Sequence, residues 1–107
     1  MVRQIKESDW KLLRRFHRIA VERFCQRVIR EISQTVSSYG ENHHECFLRL
    51  YELIDKRNEE LGRIFDDPRR SVAFFMLANI KDAGCLTEEE FSQFSAETRE
   101  IVKAILS

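Results

Sequence analysis

Residues 8–39, SDWKLLRRFHRIAVERFCQRVIREISQTVSSY, contain neither Pro nor Gly, and their apolar side chains recur at helical spacing. One continuous helix is expected, with Ser8 as its N-cap and Gly40 supplying a left-handed C-terminal cap after Tyr39. At about 100° per residue, Leu12, Leu13, Phe16, Ile19 and Ala20 share one face of that helix. Val21, Cys25, Val28, Ile29, Ile32 and Val36 cluster on nearly the opposite face. A helix lying on one core keeps a single stripe, so this one must kink or serve two surfaces. The second surface needs a second body, most simply another copy of the chain.

Outward from this segment, the remaining elements also read as helices. Helix 2 is expected over Asn42 to Phe65, with Cys46, Phe47, Leu50, Leu53, Ile54, Leu61, Ile64 and Phe65 on its apolar side. Asn58 falls on that side and Arg57 at its edge, where they either fix packing through buried hydrogen bonds or border a groove for a partner. The first of these readings is preferred. Gly62 weakens the last turns by about 1 kcal/mol against Ala. Asp67 and Pro68 fit the N-cap and first position of helix 3. Residues 71–78 are apolar nearly all round, so helix 3 should be central, and Gly84 should end it. Thr87 with Glu90 forms a capping box, and Leu86 with Phe91 a hydrophobic staple. Ser95 then opens a C-terminal helix carrying Ile101, Val102, Ile105 and Leu106. The expected fold is all-α: one domain over residues 1–107, a compact bundle of four main helices plus a short helical turn, with a long N-terminal helix.

At 107 residues and 43% hydrophobic content, the chain can bury a core without metal or disulfide staples. Its longest apolar run, Val72 to Ala78, is far too short to span a membrane. The start, with Arg3 and Lys6 followed by acidic residues, lacks the apolar region of a secretory signal. Cys25, Cys46 and Cys85 are odd in number and widely spaced, as expected of reduced thiols in a cytoplasmic protein. Net charge is zero but uneven: residues 1–30 carry nine basic and three acidic side chains, residues 31–107 nine basic and fifteen acidic. The basic end therefore suits either an anionic partner or the acidic half of the same or another chain.

Local constellations narrow the chemistry further. An EF-hand register over residues 79–90 fails, because Lys81 and Ala83 stand where calcium needs oxygen ligands. The same stretch carries Leu77, Ile80, Asp82-Ala83-Gly84, Leu86-Thr87 and Glu89-Glu90-Phe91. In these residues it resembles the SHOCT motif, a short helical hairpin. That resemblance implies an oligomerisation or interaction element with no catalytic residues. It covers residues 77–91, and after Phe91 the usual Lys-rich continuation is replaced by Ser-Gln-Phe-Ser-Ala-Glu. His43, His44 and Cys46 are the one metal-like cluster, but zinc needs more ligands than they supply, so no metal site is expected. With three Gly there is no phosphate-cradling loop, and no nucleophile elbow or metalloprotease motif occurs. Neither catalysis nor a cofactor is expected.

The arginines of helix 1 form two groups. Lys11, Arg14, Arg15 and Arg18 line one face; Arg23, Arg27 and Arg30 line another, each group opposite its local apolar stripe. Solvation and ion pairing account for that placement. A pI of 6.8 lies well below the range of nucleic-acid binders. The expectation is a protein-interaction module, a homodimer or the complex of another protein partner, with Val21, Cys25, Val28, Ile29, Ile32 and Val36 as its seam. The alternative is a nucleic-acid-associated regulator that uses Arg14, Arg15 and Arg18 to bind anions.

Overall fold

The computed structural model describes residues 4–107, which leaves Arg3 of the basic end outside the described residues. It is all-α: α1 (Glu7–Tyr39), α2 (His43–Phe65), a single 3-10 turn at Arg70–Val72, α3 (Ala73–Asp82), α4 (Glu88–Phe91) and α5 (Ala96–Leu106). No strand occurs among the described residues.

The 33-residue α1 is one uninterrupted helix, and it serves two surfaces. Its N-terminal half buries Leu13, Phe16, Ala20 and Phe24 in the core. There Phe16 meets Phe94 and Phe24 meets Phe65, both with ring centroids 5.9 Å apart. The central helix is α3, whose Ala73, Met76, Leu77, Ala78 and Ile80 are all buried. Past Phe24, α1 buries nothing fully, and before Ile64 the only fully buried residue of α2 is Leu53. The C-terminal half of α1 and most of α2 therefore form an antiparallel two-helix arm.

That arm corrects the expectation of a compact bundle. The molecule measures 57 × 25 × 24 Å. Its radius of gyration is 16.9 Å, against about 13 Å for a compact domain of this length. At about 1.5 Å per residue, α1 alone accounts for most of the long axis.

Two helix starts also differ from expectation. The N-cap of α1 is Lys6, not Ser8, and the carboxylate of Asp9 is engaged elsewhere. Asp67 does not cap helix 3: it adopts φ 57°, and Arg69 behind it is extended. Those residues reverse the chain after α2. Arg70 then donates to the Ile5 carbonyl at 2.9 Å and to Glu7 at 2.6 Å, and α3 begins only at Ala73. The end of α3 follows the sequence closely. Gly84, at φ 72°, donates to the Lys81 carbonyl and Cys85 to that of Ile80, the paired bonds of a Schellman motif. The Thr87–Glu90 capping box is complete in both directions.

Candidate functional site

Three features of α1 bear on function: an apolar face on the arm, an arginine clamp at its middle, and a basic quartet on its N-terminal half.

The arm has two unlike faces. On one, an apolar groove of about 290 Å³ runs between the helices, lined by Cys25, Ile29 and Ile32 of α1 and by Ile54, Asn58 and Leu61 of α2. The uncovered side chains around it are large. Ile29 is 62% exposed, Val36 48%, Phe47 66%, Tyr51 68% and Ile54 49%. The opposite face is charged and includes Arg27, Glu31, Glu60, Arg63 and Asp82, with Arg57 reaching from the edge of the groove into it. On that side Arg57 donates bidentately to Glu31 of α1 at 2.9 and 3.0 Å and to Glu60 at 2.7 Å, stitching the two helices together. The hydrogen bonds from Arg57 outweigh burial and hold the Glu31 carboxyl below its usual range. Arg57 is thus a packing residue. Asn58, expected to make buried hydrogen bonds, is exposed instead and borders the groove.

The sequence-predicted seam divides between two environments. Val21 is half-buried against the protein's own core, and Val28, also packed there, borders the groove. Cys25 and Ile32 are half-buried at the groove, whereas Ile29 and Val36 stand open. Phe47, Leu48, Tyr51 and Ile54 of α2 extend the apolar surface, and helix 1 taken alone does not reveal them. Helical spacing places Phe47, Tyr51 and Ile54 beside the stripe that packs on α1. They stay uncovered because, among the described residues, no third helix packs over them.

Of the second arginine group, Arg23 is ion-paired and Arg27 bonds to backbone. Arg23 donates to both carboxylate oxygens of Glu90, at 2.6 and 2.9 Å, and to the Cys85 carbonyl at 3.1 Å. Arg27 donates to the Ala83 carbonyl at 2.7 Å. Both clamp the turn between α3 and α4 onto α1. The Arg23 hydrogen bonds, against some opposing burial, pull the Glu90 carboxyl down to about 2. A second polar anchor lies nearer the N-terminus. Asp9, only 2% exposed, accepts from the Ser95 amide at 3.1 Å and from the Ser95 and Thr98 hydroxyls at 2.6 Å each. Burial pushes the Asp9 carboxyl up, but these bonds outweigh it and leave it below its ordinary value.

Lys11, Arg14, Arg15 and Arg18 line one shallow concavity, and all are exposed. Arg14 and Arg18 also edge a groove of about 380 Å³ with Trp10, His17, Pro68 and Met76. The His17 ring pairs with the Phe65 carbonyl at 2.9 Å, which ties that imidazole to the core.

Leu77, Ile80, Cys85 and Phe91, within the SHOCT-like stretch, are buried in the protein's own core, so they present no apolar surface. Cys25, Cys46 and Cys85 are free thiols. Among the described residues no three His, Cys, Asp or Glu side chains gather to hold a metal ion. No helix among them is long and apolar enough to cross a membrane. No family model, curated protein or solved structure matches the chain.

Proposed function

We propose that this protein is a small interaction module that self-associates through the apolar face of its two-helix arm. The observation that carries the reading is the groove between Ile29, Ile32 and Ile54, flanked by uncovered Val36, Phe47 and Tyr51. Contiguous apolar surface of this kind, rimmed by polar residues, is the usual mark of a protein-binding site. Covering such side chains contributes about 1.5–3 kcal/mol each before the cost of association. A second arm of the same shape closes the pair into a four-helix bundle, in which each groove is filled by its mate.

Light scattering of the untagged protein at micromolar concentration tests this directly. The expected mass is twice the 12.8 kDa of the chain. Ile29→Glu combined with Ile54→Glu should give a monomer with unchanged helical circular dichroism, because both residues are exposed. A monomeric wild type sinks the proposal.

A second reading, a nucleic-acid-associated regulator, rests on the exposed cluster of Lys11, Arg14, Arg15 and Arg18. It ranks lower because the chain as a whole is neutral. A mobility shift of duplex DNA or RNA at low salt, lost in an R14E/R15E/R18E variant, supports it.

A further inference from the structure

The charge pattern of the arm and of α1 specifies how two copies meet. We infer that the arms pair antiparallel, so that the acidic turn of one copy rests on the basic quartet of the other. The inference rests on the self-association proposed above and adds its geometry and selectivity.

Three observations carry it. First, at about 100° per residue, Lys11, Arg14, Arg15 and Arg18 point to the same side of α1 as Cys25, Ile29, Ile32 and Val36. One face of this helix is therefore basic along its first half and apolar along its second. Second, the tip of the arm is acidic: Glu41 and Glu45 flank the turn between α1 and α2, and both are exposed. Among the described residues neither these two carboxylates nor the four cations take part in an ion pair. Third, the distances match. A two-fold axis at the middle of the apolar stripe crosses α1 near Ile29 and Arg30. At about 1.5 Å per residue, Arg18 lies about 18 Å from that axis on one side and the Glu41 turn about 18 Å away on the other. Rotation about the axis brings the partner's turn onto Arg18, with Arg14 and Arg15 next to it.

Parallel pairing along the same face does the reverse. It sets quartet beside quartet and acidic tip beside acidic tip, a like-charge arrangement that suppresses wrong associations.

The test is a charge swap followed by sedimentation at 0.1 M salt. R14E/R15E/R18E alone and E41R/E45R alone each face like charge across the interface, and each should dimerise at least about tenfold more weakly than wild type. Mixed together, the two chains should recover heterodimers at close to wild-type affinity, and a chain carrying all five changes should recover the homodimer. All five positions are exposed, so circular dichroism and Tm should stay within error of wild type. If the wild type dimerises but the mixture and the five-change chain stay weak, the antiparallel register is wrong while self-association stands. If charge reversal leaves the dimer unaffected, the register is equally wrong. If the wild type is a monomer, the underlying proposal fails and this one with it.

Discussion

Asp9→Ala lowers the unfolding free energy by about 3–5 kcal/mol, because one buried carboxylate satisfies three donors at the start of α5. Removing it strands the Ser95 amide and the Ser95 and Thr98 hydroxyls in a site that is almost completely closed. It also removes a negative charge from the positive end of the α5 dipole. For a domain of this size the drop in Tm should be about 15 °C or more. Asp9→Asn keeps one acceptor oxygen, and the two hydroxyls can rotate to accept from its amide, so its loss should be about half as large. Thermal and urea melts of the three proteins at pH 7 decide the matter. Equal stability of Asp9→Ala and wild type would contradict the anchor. The acid dependence has a definite sign. The folded Asp9 carboxyl sits below its ordinary value of 3.8, so its stabilisation is complete above that pH and is lost as pH falls beneath it.

Glu90→Gln should cost about 2 kcal/mol at pH 7, and it isolates the ion pair from the capping box. Gln at that position still accepts from and donates within the box, whereas the bidentate charge pairing with Arg23 is lost. The carboxyl falls from 4.5 to about 2 in the folded protein. At about 1.4 kcal/mol per unit, a shift of that size sets an upper bound of about 3.5 kcal/mol, part of which the Gln hydrogen bonds retain. The stabilisation is present above pH 4.5 and fades as pH falls towards 2. Wild type should therefore lose more stability between pH 5 and pH 3 than the variant does, as urea titrations at those two pH values will register. Arg23→Ala should lose only part of the acid sensitivity, because Thr87 still bonds the Glu90 carboxylate, and should exceed Glu90→Gln in cost, since it also frees the Cys85 carbonyl. Identical pH profiles for wild type and Glu90→Gln would show that the pair contributes nothing.

Much of this architecture is legible in residues close together along the chain. The ends of α2, the Gly84 turn and the Thr87–Glu90 box are set by bonds that span no more than five residues, and spacing alone locates them. Asp67 is the exception. The Asp-Pro pair reads as an N-cap, yet Arg70 is drawn back to Glu7 and Ile5, and that long-range tether delays the helix to Ala73. The candidate site is legible in part. The swing of the apolar stripe marks Ile29 and Val36, whereas Phe47 and Ile54 look like core residues until the arm is found, among the described residues, to have no third helix.

By itself the sequence determines that the chain is all-α and that α1 runs unbroken with two opposed apolar faces, because periodicity and missing breakers act within a few turns. Only the tertiary structure decides which side chains those faces meet. Arg23 finds Glu90 across 67 residues and Asp9 finds Thr98 across 89. Pairings at such separations depend on how the helices pack, and no local rule encodes them. For the same reason Val21 turns inward while Ile29 stays open: α3, α4 and α5 all gather at one end of α1, and the other end is left for α2 alone.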